Sequence, residues 1–153
     1  AGEEDFYQGQ ANHQATYYRY PSRKHTYQSE FDVANLSELP EVYIVMAYEG
    51  ANDLIVRALN QANAPGIVLA GMGAGGAGGE SQQEALVEAS KQGTVVVATT
   101  RAGAGRVVSS EQNKEHGWIA GDNLSPYKAR ILLQLALTKT RDLDEIQRMF
   151  ESY

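Results

Sequence analysis

The stretch from Gly66 to Gly79 constrains the fold more than any other. It reads Gly-Ile-Val-Leu-Ala, then Gly-Met-Gly-Ala-Gly-Gly-Ala-Gly-Gly, and the residues after it, Glu80 to Gln92, have the character of a helix. The first five residues form an apolar-rich run, as expected of a buried strand. Six of the nine positions from Gly71 to Gly79 are glycine. Strand, glycine loop and helix is the order in which an α/β sheet turns backbone N–H groups toward a ligand at the strand's carboxyl end. Glycine gives up more conformational freedom on folding than other residues. So dense a run therefore points to a ligand or interface role rather than to a plain connection.

The same alternation extends to both sides. Val42 to Ala47 is a near-continuous apolar run, read as a strand buried on both faces. Ala51 to Ala62 reads as a helix with Leu54, Ile55, Ala58 and Leu59 on one face. In the helix over 80–92, Ala85, Leu86, Val87 and Ala89 are the apolar part, and Gly93 is placed to close it. Thr94 to Thr99 is a third strand, followed by a second glycine loop (Arg101 to Gly105) and a polar segment over 109–115. Trp118 to Ala120 suits a short fourth strand. Ser125-Pro126 is a helix start, a capping hydroxyl with proline at the first position. That helix carries Ile131, Leu132, Leu135 and Leu137. A last helix runs from near Asp142 to Tyr153, with Ile146, Met149 and Phe150 inward.

The pattern predicts an α/β fold: a parallel sheet of about four strands flanked by helices, an α/β/α sandwich of Rossmann-like or flavodoxin-like type. This domain is expected over residues 41–153. Residues 21–40, from Pro21 to Pro40, read as a connector, and residues 1–20 as an irregular polar and aromatic segment with room for a short strand at Thr16–Tyr20.

Composition removes several functions. A chain of 153 residues with net charge −6 has no basic patch to neutralise phosphates, so nucleic acid is not an expected partner. The absence of cysteine excludes disulfides, thiolate nucleophiles and Cys-ligated metals. No apolar run reaches the ~20 residues of a membrane span, so no membrane association is expected. The first residues carry no signal-peptide pattern, as would also hold for a mature exported protein.

Few residues suggest chemistry on their own. Gly71-x-Gly73-x-x-Gly76 matches the dinucleotide fingerprint between a strand and a helix. The acidic residue expected about 20 positions later is missing, and Glu80 would repel a pyrophosphate. His13, His25 and His116 are scattered without metal-ligand spacing, so each is expected to be solvated or locally bonded and no metal or other cofactor is expected. Thr99 and Thr100 end a strand beside a glycine loop, where a nucleophile is conceivable but no base is placed beside them. Glu111 is the carboxylate that stands out in the 101–116 loop.

From about residue 19 onward, a series of motifs resembles the C-terminal, smaller domain of bacterial type II L-asparaginases and glutaminase-asparaginases. Pro21-Ser-Arg-Lys-His-Thr26 with Phe31-Asp-Val33 resembles that family's interdomain connector. Gly71-Met-Gly-Ala-Gly75, and Thr100-Arg101 with Gly103-Ala-Gly105, resemble the loops after its second and third strands. The most specific piece is Asp122-Asn-Leu-Ser-Pro126, continued by Lys128-Ala-Arg130-Ile-Leu-Leu and ending at Phe150-Glu-Ser-Tyr153.

The resemblance implies a homotetramer, a dimer of dimers, that hydrolyses L-asparagine or L-glutamine with release of ammonia. Its nucleophilic threonine belongs to an N-terminal domain whose motifs do not occur here, so no catalytic residue is expected on this chain. A non-catalytic binding or assembly module is the alternative. The resemblance also implies that this domain binds the substrate's α-amino group in the neighbouring subunit's site. The contacts are expected at Glu111, or one residue away at Ser110 or Gln112, and in the loop at Gly73, Gly75 and Gly76. Because Gly76 has no side chain, backbone or Ser81 would serve there. Type II members are generally exported, which implies a periplasmic or secreted location.

Overall fold

The computed structural model describes residues 23–153. The irregular segment read over residues 1–20, the strand considered at Thr16–Tyr20, and His13 lie outside the described residues. Four strands, β1 (Val42–Met46), β2 (Gly66–Gly71), β3 (Val95–Thr100) and β4 (Trp118–Ala120), pair in parallel in the order β1-β2-β3-β4. The helices are α1 (Leu54–Gln61), α2 (Glu80–Lys91), α3 (Glu111–His116), α4 (Pro126–Leu137) and α5 (Leu143–Ser152).

Strand periodicity sorts the core into two layers. Ile67, Leu69, Val96 and Ala98 pack with Val56 of α1 and Ala85, Leu86 and Ala89 of α2. Their neighbours Val68, Val95 and Val97 point the other way, against Leu132, Leu133 and Ala136 of α4 and Ile146, Met149 and Phe150 of α5. Every residue of β2 and β3 is therefore buried, which is why both read as continuous apolar runs. The result is the expected α/β/α sandwich.

The first strand and helix depart from expectation. Val42–Ala47, read as buried on both faces, contains the edge strand β1, where Tyr43 and Met46 are 36% and 48% exposed. An edge strand has a neighbour on one side only, and the eight-residue α1 covers little of it. On α1 only Leu59 of the apolar face over Leu54, Ile55, Ala58 and Leu59 turns to the core. Leu54 and Ile55 are 69% and 55% exposed, while Val56 is fully buried and Leu59 packs beside it on the core. On α4, Ile131 is half exposed and Leu133 takes a core position instead. The polar segment over 109–115 was not expected to be regular, yet it forms α3. Its Ser110 Oγ accepts from Asn113 N at 3.2 Å, and Gly117 ends it at φ 69°.

The connector is clasped to the C-terminal helix. Arg23 Nη1 donates to Phe150 O at 3.1 Å and Tyr153 O at 2.7 Å, and Lys24 N donates to Ser152 O at 2.9 Å. Farther on, Arg148 Nη2 donates to both Glu30 carboxylate oxygens at 2.8 and 2.9 Å, and Tyr153 Oη receives Glu30 N at 2.9 Å. The Phe31 and Tyr153 rings lie 5.1 Å apart.

Bonding from Arg148 holds the Glu30 carboxyl below its ordinary value of 4.5, against the opposing effect of partial burial. A carboxyl depressed on folding contributes stability that is present above its unfolded value and is lost as pH falls through the folded one. Glu30→Gln should therefore lower the thermal midpoint at pH 7 by ~2–4 °C, the effect of ~1 kcal/mol in a chain of this size. The gap from the parent should close as pH is taken well below 4.5, a change that melts followed by circular dichroism over a pH series would detect.

Candidate functional site

The loops leaving the carboxyl ends of β2 and β3 converge, as they do at ligand sites of open α/β sheets. The first is a tight hairpin. Met72 N donates to Gly76 O at 2.8 Å, and Gly75 N and Gly76 N both return to Met72 O at 3.0 and 2.9 Å. Gly73 and Gly75 take φ of +51° and +96°. Farther along, Gly78 N donates to Gln82 Oε1 at 2.9 Å. With the amides of Met72, Gly75 and Gly76 bonded within the hairpin and that of Gly78 to Gln82 of α2, few are left to cradle a pyrophosphate.

Close backbone approach explains the other glycines. A Cβ on Gly71 would lie 2.5–2.7 Å from the Gly75 backbone, and one on Gly78 would collide with the backbone of Tyr48, 2.7 Å from its nitrogen. Gly76 differs, because a Cβ there meets nothing nearer than Met72 O at 3.6 Å.

Between this hairpin and α3 lies a cleft of about 240 Å³. Ala74 to Ala77 and Gln83 form one wall. Arg106, Val108, Ser110, Gln112 and Asn113 form the other, with His116 and Trp118 between. Of the residues singled out in the sequence, Gly75 and Gly76 are brought together with both neighbours of Glu111. Glu111 itself is not part of the lining. Its side chain is 85% exposed and accepts from Lys114 Nζ at 2.9 Å. That bond, with the attraction between the two charges, raises the Lys114 ammonium above its ordinary value. Gly73 and Ser81 are exposed and are not part of the cleft lining, whereas Gln83 is.

The wall bearing Arg106 is fixed by Asp122. The Asp122 carboxylate is buried and accepts from Arg106 Nε on one oxygen and Arg23 Nη2 on the other. Its backbone pairs with Val107 in both directions at 2.9 Å. Asp122, Arg106 and Trp118 were not read as site residues. The local signal was present in Asp122-Asn-Leu-Ser-Pro126, but pairing across 16 residues is invisible to motif reading.

The other candidates resolve plainly. Thr99 Oγ1 donates to Leu69 O at 2.7 Å, and Thr100 Oγ1 accepts from Ala102 N at 3.1 Å. Both threonines are buried and occupied in holding strands and loop. His25 is exposed, with Nδ1 at 3.3 Å from Thr26 Oγ1, remote from the cleft lining. His116, expected to be solvated or locally bonded, instead has a buried Nδ1 without a hydrogen-bond partner, because its ring packs on Trp118 at 4.8 Å. Among the described residues no group of three or more His, Asp or Glu is placed to hold a metal ion.

The model of the Glutaminase/Asparaginase C-terminal domain matches residues 41–150. The chain belongs to this family. It is 43% identical over 144 residues to L-asparaginase 2 of Escherichia coli strain K12, an alignment covering 93% of this chain and 41% of that protein. It is 39% identical to the glutaminase-asparaginase of Pseudomonas fluorescens biotype A, covering 90% of this chain and 38% of the relative. With the probable periplasmic L-asparaginase of Haemophilus influenzae it shares 38% identity, over 93% of this chain and 41% of the relative. The chain thus spans about two fifths of the length of these relatives and corresponds to their C-terminal part.

Gly78→Ala should lower stability by about 3 kcal/mol, the upper part of the range for forcing an atom into packed structure. Gly76→Ala should stay within about 1 kcal/mol, since its Cβ finds room. Denaturant midpoints of the two variants check the contrast; equal losses would mean that the close approach of Gly78 to Tyr48 is not what fixes the loop.

Proposed function

We propose that this chain provides the C-terminal domain of an asparaginase-type amidohydrolase that releases ammonia from L-asparagine or L-glutamine. The observation that carries the reading is the convergence of the glycine hairpin and the start of α3 on one cleft, in a chain 43% identical to an L-asparaginase. The attacking threonine belongs to an N-terminal domain. It adds to the amide carbon, ammonia leaves, and water releases the acyl-enzyme. The domain boundary lies near residue 41, with the clasped connector ahead of it.

Glu111 is the residue assigned to the substrate's α-ammonium group, with the Gly73–Gly76 backbone beside it. An exposed carboxylate between two cleft-lining residues suits an ammonium, and the contact strengthens when a covering surface excludes water. Its present partner, Lys114, must be displaced first. The pair is exposed and so is weak enough to give way. The same reading makes the protein a homo-oligomer, a dimer of dimers in which this cleft faces the neighbouring subunit. Exposed Leu54 and Ile55 of α1, with Met46 of the edge strand, supply apolar surface for such an assembly. A periplasmic or secreted location accompanies the reading.

The second reading is a non-catalytic binding or assembly module. It is favoured by the structural engagement of the Thr99 and Thr100 hydroxyls, which leaves neither poised beside a base.

In the complete enzyme, Glu111→Gln should raise KM for L-asparagine about tenfold, the loss of one hydrogen bond to a charged group, with kcat within about twofold. Lys114→Gln should lower KM slightly by freeing the carboxylate. Steady-state kinetics decide the matter, and an unchanged KM in Glu111→Gln would remove the α-amino contact from this residue.

A further inference from the structure

The loop that forms the Arg106 wall of the cleft has one anchor. Among the described residues, every hydrogen bond of residues 103–107 goes to Asp122. Arg106 Nε donates to one carboxylate oxygen, Val107 N donates to Asp122 O, and Val107 O accepts from Asp122 N, the last two at 2.9 Å. Val107 is buried and lies over the glycine hairpin, its Cγ1 3.0 Å from where a Cβ on Gly75 would stand. Asp122 is itself pinned to β3. Gly121 N donates to Ala98 O at 2.8 Å, and a Cβ on Gly121 would lie 2.7 Å from Thr99 Cγ2. Asp122 takes φ of +48°, a left-handed backbone that few residues besides Gly, Asn and Asp adopt.

The other carboxylate oxygen faces the connector. It accepts from Arg23 Nη2, while Arg23 Nη1 holds Phe150 O and Tyr153 O. One buried carboxylate thus stands between the connector and the loop that walls the cleft. We propose that Asp122 is a positioning residue, which couples the connector to the cleft so that a domain ahead of the connector keeps one orientation toward it. Its effect on catalysis rests on the amidohydrolase reading. In a symmetric pair each subunit offers its cleft to the other's attacking domain, so the angle within a subunit sets the fit of both shared sites. A misplacement of ~1 Å at a reacting centre can cost about a hundredfold in rate.

Arg23→Gln is the informative variant, because Arg23 touches the carboxylate but does not line the cleft. The first measurement is amide hydrogen exchange, followed by NMR on the ¹⁵N-labelled 153-residue chain. Arg23→Gln should speed exchange of the Val107 amide about tenfold, as for loss of one hydrogen bond to a charged group. The amides of Val96 and Val97 in the buried strand β3, which report global opening, should be sped less. The second measurement is steady-state kinetics of the complete enzyme on L-asparagine, at a temperature where every variant is folded. Arg23→Gln and Asp122→Asn should each lower kcat about tenfold with KM within about threefold. The double variant should be no slower than the slower single one, since both changes break one link.

Exchange at Val107 that rises only as much as exchange in β3 would overturn the proposal, since the carboxylate would then serve stability alone. So would an unchanged kcat in Arg23→Gln, or losses that multiply in the double variant. The two readings can fail separately. Ammonia release by the parent with kcat unchanged in Arg23→Gln removes the positioning role and leaves the amidohydrolase reading standing. Selective exchange at Val107, with no ammonia released by the parent assembly, does the reverse for the coupling itself.

Discussion

The arrangement rests on close backbone contact at the carboxyl end of β2. Gly71 lies against Gly75, and Gly78 lies against Tyr48 at the end of β1, with no room for a side chain at either place. These contacts hold the loop between β2 and α2 against its own start and against the segment after β1. The hairpin between Met72 and Gly76 then closes through three backbone bonds of its own. What remains is a rigid wall facing α3, and the cleft is the space between them. The entropy lost by so many glycines is the cost of this geometry.

Asp122 joins that wall to the rest of the molecule. One buried carboxylate receives Arg23 from the connector and Arg106 from the loop after β3. Arg23 is also bound to the last turn of α5. The connector, the C-terminus and the cleft wall therefore share one set of charge-assisted bonds. A domain attached through this connector would have its orientation tied to the cleft by the same residues. Breaking one partner of a buried set leaves a charge without compensation, which makes such a set stiff.

The layered core was legible in sequence because β2 and β3 are buried on both faces and read as unbroken apolar runs. The same rule misled at Val42–Ala47. An edge position is set by the order of strands in space, and an apolar run looks alike at an edge and in the middle. Leu54 and Ile55 show the related failure: periodicity finds a face but does not say what that face meets. Helix α3 has no apolar face at all, and only its caps, Ser110 and Gly117, betray it. At the candidate site, the glycine loop and the region of Glu111 were visible as local motifs. Arg106, His116 and Trp118 were not recognised as cleft residues, because what brings them together is contact between segments far apart in the chain.

The central claim is that these residues build one side of a shared site and do not contain the attacking group. The measurement that tests it most directly is ammonia release from L-asparagine by the purified 153-residue chain, alone and then with an N-terminal asparaginase domain added as a separate polypeptide. The account predicts no enzymatic release by the chain alone and release when the second domain is present. Ammonia formed at an enzymatic rate by the chain alone would place a nucleophile within these residues and contradict it.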